Sequence, residues 1–297
     1  MTKTLISSLL GNSQKLDGGS MFGNAPRTVW EKWIQPDEQS RIPLACRALL
    51  IEHTENQKTQ RILFEAGIGA FFDPKMAERF GIEDPQNHHL LINLKKLGLN
   101  PDDIDIVVLS HLHFDHAGGV LPTYDEIQKG NQGLIFKNAQ FVTSKEAFER
   151  ALNPHSRDRA SFIPGLTEKL QATGKLKLIE DVNQETLFGG RLNFYISNGH
   201  TPGQLLSIFR GDKETVVFCG DLIPGRAWVH LPITMGYDRF AELVIDEKLA
   251  LYKKADLKTW NFFYTHDFET SLSKIKIDEK NKFTPINEVN VARSMPI

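Results

Sequence analysis

Four side chains with metal-binding chemistry fall within six residues. They are His111, His113, Asp115 and His116, in the run Ser110-His111-Leu112-His113-Phe114-Asp115-His116-Ala117-Gly118-Gly119. In an extended chain, residues two apart share a face, so His111 and His113 point toward the same ion. Asp115 and His116 follow where the chain turns toward a helix, which aims them at a neighbouring position. Neutral imidazole and carboxylate suit zinc, whose hydrolytic sites keep one position open for water. A single histidine at a strand end is ordinary; four ligands at this spacing are not. The small Ala117, Gly118 and Gly119 let backbone pack tightly behind them.

The elements that must hold this cluster can be read outward from it. Ile104, Ile106, Val107, Val108 and Leu109 form a nearly continuous apolar run that leads into it, as expected of a strand buried on both faces. Three later strand-like runs end in the same chemistry. Residues 191–197 lead into Asn198-Gly199-His200, residues 215–219 into Gly220-Asp221, and residues 260–265 into His266-Asp267. Each alone is an ordinary turn residue. Together they complete seven ligands, all at strand ends, where α/β scaffolds gather their sites. A cation held there lowers the pKa of a bound water toward roughly 7, giving a nucleophile at neutral pH.

Elsewhere, residues 44–52 and 61–66 read as a hairpin across Thr54-Glu55-Asn56-Gln57, ending in Gly67 and Gly69. Leu90, Leu91, Leu94 and Leu97 predict a helix over 85–99, stopped by Gly98, Asn100 and Pro101. Ser144 is the N-cap of a helix through Leu152, with Glu146 in its first turn. Residues 153–165 read as a polar loop, and 238–255 as an amphipathic helix with Leu243, Leu249 and Leu251 inward. Residues 205–209 add a strand, and Lys274-Ile275-Lys276-Ile277 before Lys280-Asn281-Lys282 adds a hairpin. No linker divides the chain. The expectation is one mixed α/β domain over 1–297, with sheets packed together and helices outside. Residues 1–42 form an N-terminal extension to the substrate cleft, and 270–297 a C-terminal hairpin and tail. His53, His88, His89 and His155 are expected in solvent.

Basic and acidic residues, 35 and 37, are interspersed and leave a net charge of −2, so nucleic acid is not an expected partner. Cys46 and Cys219 sit in apolar runs and read as buried free thiols, which points to a cytoplasmic setting. No run approaches the roughly 18 apolar residues of a membrane span, and the apolar stretch after Lys3 is too short and Ser-broken for a signal sequence.

The His-x-His-x-Asp-His run, with the later histidine, aspartate and histidine in order, resembles the signature of the metallo-β-lactamase superfamily over about residues 43–267. The resemblance implies an α/β (α+β) fold, a four-layer αβ/βα sandwich with two Zn2+ ions in a cleft at its edge. It assigns His111, His113 and His200 to one zinc, and Asp115, His116 and His266 to the other, with Asp221 bridging. Some β-lactam-cleaving members use cysteine where Asp221 stands; Cys219 reads as core. The redox di-iron branch is similar but has glutamate at the His113 position.

Asp17-Gly18-Gly19-Ser20-Met21-Phe22-Gly23, Gly220-Asp221-Leu222-Ile223-Pro224 and Met235-Gly236-Tyr237-Asp238 resemble the quorum-quenching branch, which opens N-acyl homoserine lactones. That likeness implies hydroxide attack on a lactone or ester carbonyl, with Asp115 as proton shuttle. Met21, Phe22, Trp228 and Tyr237 would wall an acyl chain. Lactonases of this group often carry a tyrosine three residues after the bridging aspartate; here that residue is Pro224, so either His230 or Tyr237 substitutes or the substrate differs. The alternatives are a phosphoester or phosphotriester hydrolase resembling methyl parathion hydrolase, and a non-catalytic ligand-binding regulator. A small-molecule lactone or ester is the expected partner, no membrane is, and a homodimer is compatible with the branch.

Overall fold

The computed structural model describes residues 2–183 and 186–297. The first half of the chain supplies β1 (Lys3–Leu10), β2 (Gln14–Asp17), β3 (Arg41–Leu44), β4 (Arg47–Glu55), β5 (Lys58–Phe64), β6 (Ile106–Val108), β7 (Gln140–Ser144) and β8 (Leu176–Ile179). The second supplies β9 (Thr186–Leu187), β10 (Leu192–Ser197), β11 (Gln204–Arg210), β12 (Thr215–Phe218), β13 (Trp260–Phe263), β14 (Leu272–Ile277), β15 (Phe283–Val289) and β16 (Met295–Pro296). Among the described residues they form two seven-stranded sheets, ordered β16-β1-β4-β5-β6-β7-β8 and β15-β14-β13-β12-β11-β10-β9, with β2-β3 as a separate ribbon.

Side-chain alternation turns these sheets into four layers. On β4 and β5, Leu49, Ile51, Ile62 and Phe64 face the other sheet and meet Leu205, Phe209, Val216, Phe218 and Phe263. Their neighbours Leu50 and Leu63 face outward, onto Leu90 and Leu94 of one helix and Phe148 of another. On the far side Leu206, Ile208, Val217 and Phe262 pack against Val244, Leu251 and Tyr252 of a third. Three apolar layers between four layers of structure make the αβ/βα sandwich. β6 is buried on both faces, Val107 outward and Val108 inward, which is why its sequence lacks alternation.

The predicted hairpin is β4–β5, closed by Asn56 and Gln57 with φ of 50° and 65°. Two residues with positive φ match the right-handed strand twist. The predicted helices are α4 (His89–Lys96), α7 (Lys145–Leu152) and α9 (Ala241–Lys254), and Ser144 Oγ caps α7 by accepting from Ala147 N at 2.9 Å. The expected C-terminal hairpin is β14–β15. The tail then crosses to the first sheet, where Pro296 pairs with Leu5.

Four expectations need correction. β1 is an integral strand paired along its length with β4, so the N-terminal cap begins only at β2. In α9, Leu243 lies exposed, while Glu247 and Lys248 are buried; polar partners in the neighbouring loops hold them there. His53 is buried against Thr4 Oγ1 at 2.9 Å, and His88 is buried with Nε2 at 3.0 Å from the Gly119 carbonyl oxygen. Each found one hydrogen-bond partner inside, which periodicity does not reveal. Cys46 and Cys219 are buried free thiols, as read. No described helix is long and apolar enough to cross a membrane.

Candidate metal centre and its cavity

Four strand ends deliver the seven side chains. After β6 the chain bends at Ser110 and His111, is extended at His113, then enters the single-turn helix α5 (Phe114–Ala117), which carries Asp115 and His116. His200 lies in the β10–β11 turn, Asp221 three residues after β12, and His266 three residues after β13. The turn behind α5 admits only glycine. A Cβ on Gly119 would stand 2.0 Å from the Ala66 carbonyl oxygen, and one on Gly118 would stand 2.4 Å from that of Ile68.

The side chains converge as two groups. Ligand atoms of His111, His113 and His200 lie within 4.8 Å of one another, and so do those of Asp115, His116 and His266. Asp221 stands between them. Its Oδ1 is 3.3 Å from His116 Nε2 and 3.2 Å from His266 Nε2, and its Oδ2 is 3.3 Å from His200 Nε2. One carboxylate oxygen thus serves each group.

Other atoms fix the rings. Asp238 Oδ1 lies 2.9 Å from His200 Nδ1, and its Oδ2 accepts from Met235 N at 2.7 Å. His266 Nδ1 donates to the Ala45 carbonyl at 2.6 Å, and His266 N to the Pro224 carbonyl at 2.9 Å. Gln14 Nε2 donates to Asp115 Oδ2 at 2.7 Å, and Gln204 Oε1 accepts from Asp221 N at 2.9 Å. Glu65, held at φ 68°, accepts from Ser110 N at 2.9 Å. Glu247 accepts from Ser197 Oγ and from Asn198 N and Gly199 N, bracing the turn that carries His200.

Burial favours the neutral form of every imidazole here, and it holds His111 and His113 well below the usual histidine range, aided by their cationic neighbours. In His116 and His266 the same burial is outweighed by Asp221 and Asp115, which raise them well above it. Asp221 is driven well below the carboxylate range: burial opposes ionisation, but His116, His266 and His200 overcome it. The residues present fit a pair of divalent cations. Six of the seven are nitrogen or carboxylate donors of two closed triads, the seventh reaches both, and the buried His111 Nε2 has no hydrogen-bond partner among the described residues.

A cavity of about 400 Å³ opens onto the centre, with His113, Asp115, His200, Asp221 and His266 at its floor. Leu16, Met21, Leu44, Phe80, Phe114 and Met235 wall it, and Tyr237, Arg79, Arg157, Arg239 and Asp158 also line it. Met21 and Tyr237 thus line the cavity. Phe22 and Trp228 do not. They stack face to face at 4.6 Å in the core under the cap, with Trp30 at 5.5 Å on Phe22's other side. Trp228 Nε1 donates to the Met21 carbonyl. Their size and apolarity are spent on anchoring the cap. His230 lines a different cavity, with Trp33, Arg226 and Phe283. Sequence reasoning missed Gln14, Asp238 and the three arginines; Asp238 stood inside a motif already singled out, but nothing local marks a carboxylate as a histidine's partner.

The model of the metallo-beta-lactamase superfamily matches residues 41–266. Among curated relatives, the N-acyl homoserine lactonase AiiB of Agrobacterium fabrum is 30% identical over 194 residues, covering 62% of this chain and 64% of that one. Ribonuclease TTHA0252 of Thermus thermophilus is 31% identical over 144 residues, covering 48% and 30%. The matches span from 22% to 64% of the curated relatives' own lengths. A solved structure of a probable metal-dependent hydrolase from Staphylococcus aureus superposes with a TM-score of 0.82 at 26% identity, covering 97% of this chain and 98% of that one.

Proposed function

Since the chain belongs to the metallo-beta-lactamase superfamily, we propose that it is a dinuclear zinc hydrolase acting on lactones or related carboxylic esters, of the N-acyl homoserine lactonase type. The observation that carries this reading is the division of Asp221, one oxygen toward His116 and His266 and the other toward His200. In this reading His111, His113 and His200 hold one ion, Asp115, His116 and His266 the other, and Asp221 joins them. When bound, such a pair supplies Lewis acidity and a water of lowered pKa.

The chain's own groups do the rest. Leu16, Met21, Leu44 and Phe114 form an apolar wall that excludes water and receives the acyl portion of the substrate. Partial desolvation at the mouth raises the Tyr237 hydroxyl above the usual phenol range although the residue stays exposed overall, with the Ser20 contact opposing, so it stays protonated and donates to the substrate carbonyl. That is the part a tyrosine at the Pro224 position would play, whereas the Pro224 carbonyl is occupied in holding His266 N and Asp267 N. Asp115 is the most solvent-open of the seven, with Gln14 on its Oδ2 and His116 Nε2 3.8 Å from its Oδ1; in this reading its carboxylate also carries a proton to the departing alkoxide. Water adds across the acyl–oxygen bond, and a hydroxy acid leaves. The balance of basic and acidic residues supports a small molecule over a polynucleotide.

The test is a single panel of homoserine lactones, aryl esters and phosphotriesters, run on native, chelator-stripped and zinc-restored protein. Lactone or carboxylic-ester turnover should vanish on stripping and return with zinc. Unchanged turnover in the stripped protein sinks the mechanism. Phosphotriester turnover alone moves the reading to the phosphoester alternative, and no turnover at all leaves the binding regulator.

A further inference from the structure

Three arginines line the cavity over the metal centre, and they come from three separate segments. Arg79 ends α3 (Pro74–Arg79), Arg157 lies in the 153–165 loop, and Arg239 follows Asp238. None of the three makes an ion pair with a carboxylate among the described residues. Arg157 Nη2 donates only to the Gly236 carbonyl, at 3.1 Å. Asp158, the one acid of the cavity lining outside the ligand set, is bound through Oδ2 by Arg150 Nε and Nη2 at 3.0 and 2.7 Å, which leaves its Oδ1 without a hydrogen-bond partner among the described residues. Arg239 is anchored through its backbone, N to the His200 carbonyl at 3.1 Å, so its guanidinium has a fixed base beside the centre.

Such an arrangement does not stabilise the fold. Arg157 and Arg150 stand close enough to Arg239 to lower its pKa, adding to the effect of burial, with Asp158 opposing. Like charges gathered at a concave mouth with low-dielectric walls focus a positive potential there. An arginine fork matches a carboxylate or phosphate oxyanion in both geometry and charge. A neutral acyl chain has no use for one.

We propose that the preferred substrate is an ester or lactone that carries a second, unreactive oxyanion, a carboxylate or phosphate, which Arg79, Arg157 and Arg239 bind at the mouth while the scissile carbonyl lies on the metal centre. This rests on the ester-hydrolase reading and, within it, favours an anionic ester or lactone over a neutral N-acyl homoserine lactone. The arginines are specificity residues, and the chemistry is unchanged: water enters, the acyl–oxygen bond breaks, and the remote anion leaves with its half of the product.

The experiment uses zinc-loaded protein and para-nitrophenyl esters of one chain length ending in methyl, carboxylate or phosphonate, together with the matching unreactive anilides. At low ionic strength kcat/KM for an anionic ester should exceed that for the neutral one by roughly tenfold or more, and raised salt should shrink the ratio. In the Arg79→Gln, Arg157→Gln, Arg239→Gln triple variant the ratio should fall toward one. The carboxylate and phosphonate arms show which oxyanion is preferred. A ratio at or below one, or a preference that survives in the triple variant at unchanged metal content, overturns the proposal; the latter outcome means the metals alone attract the anion. If no ester is cleaved, the hydrolase reading fails, and calorimetry with the anilides decides the anion site separately. Tighter binding of the anionic anilide that is lost in the triple variant sustains it, and equal binding of anionic and neutral anilides ends it.

Discussion

The centre and the mouth of the cavity are built by opposite means. All seven converging side chains sit at or just beyond strand ends of one sandwich, are buried, and most have an outer atom fixed by a neighbour. The mouth is assembled from pieces outside both sheets: the β2–β3 cap, the 153–165 loop and the segment around Tyr237 and Arg239. Tyr237, Arg79 and Arg157 are exposed there. The sandwich fixes where a reaction can occur, and the mouth decides on what. The largest expected effect therefore belongs to the centre. Asp221→Ala removes the carboxylate that stands between the two triads and should lower kcat by about a thousandfold or more on every substrate alike, with metal content falling below two per chain. A variant with full metal content, or a loss confined to one substrate class, breaks the comparison.

The same division explains what could be read from the chain. His111, His113, Asp115 and His116 were legible because four donors compressed into six residues have no ordinary structural use. His200, Asp221 and His266 were legible because apolar runs ended at them. Phe22 and Trp228 misled because a large apolar side chain near a cleft looks the same in sequence whether it lines the cleft or props it up. Leu243 misled because α9 meets the sheet through Val244, Leu251 and Tyr252 and spends further buried positions on Glu247 and Lys248, which a hydrophobic pattern cannot register. The arginines were invisible for another reason. Single arginines at 79, 157 and 239 carry no motif, and only folding brings them to one opening.

Asp238 lies on the boundary between the two regions, touching His200 with one oxygen and the mouth segment through Met235 N with the other. Partners that orient a ligating histidine are typically worth ten- to a hundredfold in metal affinity or activity. Asp238→Ala should accordingly weaken metal binding by about that factor and also shift KM, because Met235 and Tyr237 line the cavity. Metal competition against a chelator and full kinetics on the same variant separate the two effects. Unchanged metal affinity with a raised KM would place Asp238 wholly with the mouth.

The smallest effect concerns how the mouth is held from behind. Lys248 is fully buried on α9 and donates to the carbonyls of Trp228, His230 and Ile233, at 3.1, 3.4 and 2.7 Å. Burial lowers its pKa from 10.5 to about 7, with Asp238 opposing. An amine whose folded pKa lies below its unfolded value binds fewer protons folded than unfolded across the window between them, here about pH 7 to 10.5. Its contribution to stability therefore rises with pH through that window and is level below it, with a slope of at most about 1.4 kcal/mol per pH unit. Lys248→Met lacks this contribution and leaves three carbonyls unmet, so it should be less stable than the parent at pH 9.5, with the gap narrowing toward pH 7. Denaturant midpoints of both proteins at fixed zinc, taken across that range, measure the gap. A constant gap would mean the three carbonyls keep Lys248 charged throughout, and the mouth would then rest on an ammonium pillar instead of a neutral amine.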